Sequence, residues 1–376
     1  MKILPNPVRK VNPHVMGLDI HKRMTAWVLF DRKGVAAAHG EIPSSPEALL
    51  ALFSEQVGRK KAHVAFEASG CSLWAFDLMV ERLGARERVH VAHAKNVRAI
   101  ANSQHKTDHN DAWWLGYLTY EGRLPEVYVP TGLVRELRVA TRHRRAVVQE
   151  RTRAIKRVRA QLRQTGLGRT LPQGALSTKT GRAAVILSAE SLGGMRQASI
   201  EEDLSLIEAH DARVAVWEGR IEEMVDDMPD VLAIREAIPG MGTILAATVV
   251  AETGPVVRFR SPKALARYAG LTPAERTSGG KQRLGAITKE GSAQLRWALC
   301  QAVICAKRCR SGPGLHLAHW VDRCQRRLGS KKKGQVAGAR KLAEAIWRLR
   351  TMGEVFDFRK PFGPLPLSVL TQGSVG

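Results

Sequence analysis

Two stretches of opposite charge constrain this chain more than any other feature. Between Arg135 and Arg163 there are eleven Lys or Arg and two acids, a net +9, and between Glu201 and Asp230 there are eleven acids and two Arg, a net −9. Both stretches keep a three-to-four spacing, the period of a helix with one buried stripe. The first stripe reads Val134, Leu137, Thr141, Arg144, Val148, Arg151, Ile155, Val158, Leu162. The second reads Leu204, Ile207, Asp211, Val214, Glu218, Ile221, Val225, Met228. Laid antiparallel as a coiled-coil hairpin, Arg144 falls opposite Glu218 and Arg151 opposite Asp211. Val148–Val214, Ile155–Ile207 and Val158–Leu204 follow in the same register. Two amphipathic helices in different places, each with a solvated charged face, fit the same pattern. Residues 166–197 are rich in Gly, Thr and Ser and read as the connecting loop at the far end.

Ahead of this hairpin the periodicity changes. VMGLDI (15–20) and TAWVLFD (25–31) are apolar, β-branched runs four residues apart, as in a β-hairpin, and a third strand is expected near Ala36–Ile42. Ser45 as N-cap, Pro46 at the first helical position and Glu47 in the first turn start a helix. HVAFEA (63–68) reads as a buried strand, 71–83 as a second helix and RVHVAHA (88–94) as a further strand. The order β-β-β-α-β-α-β implies a mixed sheet with helices packed on it. From 231 to about 350 the chain is again basic and core-forming, and 351–376, with Pro361, Pro364 and Pro366, reads as an extended tail.

Charge narrows the partners. Lys and Arg total 59 against 35 Asp and Glu, a formal +24, which favours a polyanion, nucleic acid before a membrane surface. No apolar run reaches the roughly 18 residues of a membrane span, and the N-terminus lacks the apolar core of a signal peptide. Five cysteines make no disulfide framework and suit a reducing cytoplasm. The spacing of Cys300, Cys305, Cys309 and Cys324, with His316 and His319 nearby, lacks a CxxC knuckle and speaks against zinc.

Four acids in the first 130 residues carry candidate chemistry. Asp19 lies inside an apolar strand and Glu67 near the end of another, where a charge is costly unless paired or metal-bound. Asp108 and Asp111 in KTDHNDAWWL share one face if that segment is helical. Hard oxygen donors without Cys suit Mg²⁺ or Mn²⁺, and such ions assist phosphodiester chemistry. Taken singly, each acid is as well explained as an ordinary surface or edge carboxylate. His21, His105 and His109 adjoin them and either tune the site, contact phosphate or are structural; Lys106 could reach a phosphate. Trp113 and Trp114 are expected to pack helix against sheet.

Further on, LAIREAIPGMGTILAATVVAE (232–252) resembles a helix–hairpin–helix, with Gly240 and Gly242 in a turn that would present free N–H groups to a phosphate. A plain αα turn fits as well. In YAGLTPAERTSGGKQRLGAITKEG (268–291), Gly279 and Gly280 leave room beside the Ser278 hydroxyl. Arg276, Lys281, Arg283 and Lys289 could hold a phosphate there. A flexible basic loop that only binds phosphate suits these residue types equally well. Lys331, Lys332 and Lys333 precede a helix and suit backbone contact rather than sequence reading.

In this order, GLDIHK, the FEA strand, KTDHNDA, IPGMG, YAGLTP with TSGGKQRLGAITKEG, and KKKGQVAGARKLAEAIWRL resemble the DEDD transposases of the insertion-sequence-110 family, also called bridge recombinases, over about 15–350. A pilin-gene invertase is similar to them. The resemblance implies an α/β plus α chain. A ribonuclease-H-like domain of the Holliday-junction resolvase (RuvC) type would occupy 14–130, a coiled-coil hairpin 131–230, and a mainly helical transposase domain with helix–hairpin–helix and catalytic serine 231–350. It implies that Asp19, Glu67, Asp108 and Asp111 bind Mg²⁺, and that Ser278, with Thr277 adjoining, forms a phosphoserine link to DNA. It further implies donor and target DNA and a structured bridge RNA as partners, and a dimer of dimers with composite sites. A metal-dependent junction resolvase or nuclease, and a non-catalytic RNA- and DNA-binding protein, are the alternatives.

Overall fold

The computed structural model describes residues 14–58, 61–70, 72–100, 107–169, 174–278, 281–309, 313–353, 357 and 359–363, with backbone alone for 98–100, 275–278, 281–284, 313, 360 and 361. The chain divides into two compact units, Met1–Val129 and Pro130–Gly376.

The first unit is built on a five-stranded sheet. Strands β1 (His14–Ile20), β2 (Met24–Phe30) and β3 (Ala36–Pro43) form an antiparallel meander, with Asp19 opposite Ala26 and Val28 opposite His39. Helix α1 (Pro46–Gln56) starts at Ser45, whose Oγ accepts from the Ala48 N–H, and leads to β4 (Ala62–Glu67). Helix α2 (Ser72–Leu83) leads to β5 (Val89–Ala92), which the short helix α3 (Ala94–Ile100) follows. Both β4 and β5 run parallel to β1, giving the order β3-β2-β1-β4-β5. This mixed sheet is the arrangement expected of a ribonuclease-H-like domain. Alternation along the strands splits the core. Met16, Leu18, Val64 and Phe66 pack with Leu49, Phe53, Phe76 and Met79 of α1 and α2. Val15, Ala26, Val28 and Phe30 face Ala112 of a later helix on the other side.

At the amino end of the parallel strands, His63 Nδ1 lies 2.7 Å from His90 Nε2, and His90 Nδ1 lies 2.8 Å from Glu126 Oε1. Burial, then the neighbouring charges of His90 and Arg88, pushes His63 down to about 4. The unfolded imidazole titrates near 6.5, so between these values the unfolded chain binds more protons. Stability therefore falls as pH drops from about 6.5 to about 4. Urea denaturation across this window should show that fall, and His63→Phe should flatten it.

The second unit is helical: α5 (Gly132–Gln164), α6 (Lys179–Glu190), α7 (Gly194–Val225), α8 (Pro229–Ala237), α9 (Thr243–Thr253) and α10 (Pro262–Tyr268). A two-stranded hairpin follows, β6 (Pro273–Ser278) and β7 (Lys281–Ile287). Helices α11 (Ala293–Ala306), α12 (Pro313–Leu328) and α13 (Lys331–Met352) complete it. Helix α9 is buried from Ala246 to Thr253 and forms the centre of a core with Leu137, Ile221, Ile234, Leu299, Leu317 and Ile346.

Helices α5 and α7 lie side by side. Arg144 Nε donates to Glu218 Oε1 at 3.0 Å and Arg151 Nη1 to Asp211 Oδ1 at 2.5 Å. A third pair, Arg157 Nε to Asp203 Oδ1 at 2.9 Å, lies outside the anticipated stripes. Val158, Leu204 and Ile207 are buried, while Val147 and Ala154 take the deepest positions where Val148 and Ile155 are expected. A straight helix of 3.6 residues per turn drifts against a seven-residue repeat, so buried positions shift by one along its length. The expected loop at 166–197 contains α6. Its Arg182, 6% exposed, donates from Nη1 to Asp211 Oδ2 at 3.0 Å, tying α6 to the helix pair. Val185 and Ala189 of α6 are also buried, in a core with Val158, Leu204 and Ile207; the Gly, Thr and Ser around this short apolar stretch hide the helix. The expected extended tail folds back at first: Phe362 is buried against Trp320, and Arg323 Nη2 donates to the Phe362 carbonyl at 3.1 Å. Residues from 364 lie outside the described residues.

Reversing Arg144 to Glu places two carboxylates together in a half-buried seam. Thermal denaturation should show destabilisation, and adding Glu218→Arg should recover on the order of 1 kcal/mol. Independent helices would show no recovery.

Candidate metal centre and serine hairpin

Helix α4 (Asp108–Tyr120) places two of the four acids. Thr107 is its N-cap, accepting at Oγ1 from the Asn110 N–H at 3.2 Å, and Asp108 and Asp111 occupy the first turn, where the helix dipole favours negative charge. The helix crosses β1 at very short range. A Cβ on Gly17 would lie 2.0 Å from the Ala112 carbonyl oxygen, and one on Gly116 would lie 2.5 Å from the Phe30 ring. Only glycine at both positions allows this approach. Trp113, stacked on Tyr117 and 5.8 Å from Phe30, and Trp114, packed beside Leu115 and Leu118, hold the helix on the sheet.

The strands supply the other two acids. Gly17 pairs with Ala65 and Leu18 with Phe66, so Asp19 and Glu67 follow side by side at the carboxyl ends of β1 and β4. By alternation both stand on the face that α4 covers. Asp19 is 8% exposed, and burial raises its pKa above the ordinary carboxylate range. His21 opposes that rise, while Asp111 and Asp108 add to it. His21 Nε2 lies 3.1 Å from Asp19 Oδ2 and 3.3 Å from Asp108 Oδ1. Asp19 first, then Asp108, raises the His21 pKa against its partial burial.

Among the described residues, the donors close enough to share one cation are those of Asp19, His21 and Asp108, all within 4.8 Å of one another. Asp111 reaches Asp19 through its charge. Glu67 ends β4 at the same edge but is not in this tight group. A buried carboxylate facing two more acids is the environment a hard divalent ion relieves, so the donor set fits Mg²⁺ or Mn²⁺. His21 is the addition to the expected four; its place two residues after a buried strand acid, just beyond the strand end, was the signal. Lys106 and His105 lie outside the described residues. His109 meets His39 edge-on at 4.7 Å.

In the second unit, the segment around Ser278 is a β-hairpin rather than a loop. Arg276 pairs with Arg283, Thr277 with Gln282 and Ser278 with Lys281, so Ser278 is the last paired residue of its strand. Gly279 and Gly280 lie outside the described residues. A Gly-Gly dipeptide between short polar strands is a two-residue hairpin signal, masked here by the lack of apolar alternation. The base of the hairpin is held firmly. Thr288 N–H donates to the Thr272 carbonyl at 2.9 Å and Ser292 N–H to that of Tyr268 at 3.0 Å. Arg296 Nη1 donates to the Ala269 carbonyl at 3.0 Å, and to that of Lys289 at 3.3 Å. Ser292 Oγ donates to Glu252 Oε2 at 2.9 Å. Glu252, 1% exposed, also accepts from Arg142 Nε at 2.7 Å and Nη2 at 3.0 Å. A lone acid closing the apolar run LAATVVAE was the signal for this anchor.

Other candidate contacts divide. Helices α8 and α9 flank the IPGMG turn, but Gly240 (φ 76°) packs on α11, where a Cβ would lie 2.4 Å from the Ala302 carbonyl oxygen. Its lack of a side chain permits that close packing. Gly242 is exposed at the start of α9 with nothing near its Cβ position. Lys289 is exposed. Lys331, Lys332 and Lys333 are exposed in the first turn of α13, where the helix dipole opposes positive charge. Cys324 is buried, Cys300, Cys305 and Cys309 are half-buried, and among the described residues they form no metal cluster. No helix among the described residues is long and apolar enough to cross a membrane.

Sheet order defines a mixed α/β domain followed by a mostly helical one. Comparison with known proteins agrees. Residues 16–167 match a family model described as transposase, of the IS110 DEDD type, and residues 233–316 match one described as transposase IS116/IS110/IS902 family. The chain belongs to the IS110 family of DEDD transposases. It is 28% identical over 235 residues to a probable family 20 transposase of Pseudomonas aeruginosa, covering 59% of this chain and 66% of that protein. It is 25% identical over 253 residues to the transposase for insertion sequence element IS1111A of Coxiella burnetii, covering 67% and 68%. It is 36% identical over 120 residues to a putative transposase of Sinorhizobium fredii, covering 32% and 31%. The match thus spans just under two thirds of the Pseudomonas protein and about a third of the Sinorhizobium one.

Adding Mn²⁺ should raise the melting temperature of the wild-type protein in a thermal-shift titration. Asp19→Asn and Asp108→Asn should each weaken that response about tenfold or more. An equal response in all three proteins would rule out the centre.

Proposed function

We propose that this protein is the DNA-cutting and rejoining enzyme of an insertion sequence, acting in the cytoplasm on donor and target DNA. The observation that carries the proposal is the convergence of Asp19 and Asp108, with Asp111 in charge contact, at one sheet edge of a chain whose family is that of transposases. Asp19, Glu67, Asp108 and Asp111 would hold Mg²⁺ or Mn²⁺. When bound, the metal supplies charge stabilisation for a phosphodiester in the transition state.

Ser278 is the proposed nucleophile, with Thr277 as the neighbouring hydroxyl. Its Oγ forms a bond to phosphorus as the bond to one deoxyribose oxygen breaks; Ser278 gives up its hydroxyl proton and the departing oxygen takes one up, leaving as a DNA hydroxyl. The phosphoserine link keeps the bond energy, so a second DNA hydroxyl can reverse the step on a new strand without ATP. The firm base of the β6–β7 hairpin, held by Arg296, Ser292 and Glu252, suits a nucleophile that must be placed accurately. Arg276, Lys281, Arg283 and Lys289 would neutralise the phosphate, and Gly279 and Gly280 would leave room for it. Lys106, Gly242 and Lys331–Lys333 would contact the backbone.

Ser278 and the acids belong to separate folding units. Composite sites between copies, in a dimer of dimers, would bring them together, and a structured bridge RNA would supply target choice by base pairing. The +24 charge suits so large a polyanionic load.

Incubating the protein with element-end DNA and Mg²⁺ should yield a covalent protein–DNA adduct. Ser278→Ala should reduce it about 1,000-fold or more, and Asp108→Asn should abolish recombination while sparing nucleic-acid binding. Hydrolysed DNA without an adduct would instead indicate a junction resolvase or nuclease. Full activity in Asp19→Asn and Ser278→Ala would indicate a non-catalytic binding protein.

A further inference from the structure

The long helix α5 treats its cations in three different ways. Over its first half, the side turned away from α7 is absorbed by the rest of the second unit. Arg138 donates to the Ala251 and Glu252 carbonyls, Arg142 grips the Glu252 carboxylate, and Arg145 donates to Gln294 and lies over the Trp297 ring at 4.6 Å. Toward α7, Arg144, Arg151 and Arg157 meet Glu218, Asp211 and Asp203, and at the start of the helix Arg135 donates to the Pro130 carbonyl. That leaves Arg153, Lys156, Arg159 and Arg163, all exposed, and none paired with an acid among the described residues.

These four form one stripe. Ala154, Val158 and Leu162 are buried and define the inner side of the helix. At 100° per residue, positions 153, 156, 159 and 163 fall on the opposite side. Between Arg151 and Gln164 there is no acidic residue at all. An ordinary solvated helix face interleaves both signs, because (i, i+4) pairs stabilise it and like charges at that spacing do not. Here the self-repulsion is left uncompensated. The partner helix carries the opposite excess: Glu201, Glu202, Glu222, Glu223, Asp226 and Asp227 of α7 and its end are exposed. The helix pair is therefore a rod with a basic side and an acidic one, which attracts a polyanion to one side and repels it from the other.

The dimensions select the occupant. From Arg153 to Arg163 the helix rises about 15 Å. Over that length one strand of B-form DNA presents about four phosphates, one per roughly 3.4 Å of axis. A band of four cations about 15 Å long thus matches, in length and charge, a stretch of duplex backbone of about four base-pair steps. We infer that the outer side of α5 over residues 153–163 is a docking surface for the backbone of duplex DNA, distinct from both the acid cluster and the serine hairpin. The inference rests on the reading of this chain as a DNA transposase, because that reading makes DNA rather than another polyanion the occupant. Such a surface contacts phosphates alone, so it positions the duplex without reading its sequence.

The test uses the full chain and a fluorescent duplex of an element end, with binding followed by anisotropy between 50 and 200 mM salt. The variant carries Arg153→Ala, Lys156→Ala, Arg159→Ala and Arg163→Ala together. Alanine is the best helix former, and all four side chains are exposed, so the melting temperature should hold. The slope of log affinity against log salt should shrink by about 3 to 4, near 0.9 for each lost phosphate contact. An unchanged slope would overturn the inference and leave the stripe a solvated surface. A loss confined to binding of a structured RNA, with duplex DNA unaffected, would also overturn it. Adduct formation by the wild-type protein is scored separately. Its absence would sink the transposition chemistry while the salt slope still decides the docking surface.

Discussion

The closeness of α4 to β1 is the constraint on which the acid cluster depends. Gly17 and Gly116 remove the side chains that would otherwise separate helix from strand, so the first turn of α4 comes down beside the end of β1. Each Asp in that turn is stabilised locally by the helix N-terminus, and each becomes costly only because a buried Asp19 awaits it. His21 balances the arrangement by lying between Asp19 and Asp108. Accumulated negative charge at a sheet edge is thus a product of backbone packing, and a cation is its natural complement.

Charge is handled differently in the second unit. Arginines near α7 and α9 are consumed by buried or half-buried acids: Arg144 by Glu218, Arg157 by Asp203, Arg142 by Glu252. Buried pairs of this kind do more for register than for stability, since desolvation offsets much of their attraction. They fix α5 against its neighbours and, through Glu252 and Ser292, fix the base of the hairpin that ends in Ser278. Other cations, among them Arg153, Lys156, Arg159, Arg163 and Lys331–Lys333, are exposed. Much of the excess positive charge is therefore available for a partner rather than spent on the fold.

The first unit was largely legible in the sequence because its elements announce themselves locally. Ser45 caps α1, continuous apolar runs mark β1, β2 and β4, and a short turn joins β1 to β2. The ion pairs Arg144–Glu218 and Arg151–Asp211 were legible because opposite charges fell on stripes of matching period. Helix α6 was not, since its apolar residues Val185 and Ala189 are few, sit among Gly, Thr and Ser, and find their partners, like Arg182 its Asp211, only in the tertiary fold. The β6–β7 hairpin was not, since its polar strands carry no apolar alternation. That Gly240 also packs closely on α11 was not legible, because only the tertiary fold places α11 against it.

The sequence by itself determined the kinds of groups this protein possesses: hard acids in apolar strands, a hydroxyl beside two glycines, and two helices of opposing charge. Periodicity and residue chemistry are local, so they survive in one dimension. Only the tertiary structure decided which groups meet. It drew Asp19, His21 and Asp108 within reach of one cation, left Glu67 at the margin of that group, and sorted the arginines of α5 into those neutralised and those left open. Proximity between residues far apart in the chain is a property of packing, and packing is set by shape and burial across the whole unit rather than by any local pattern.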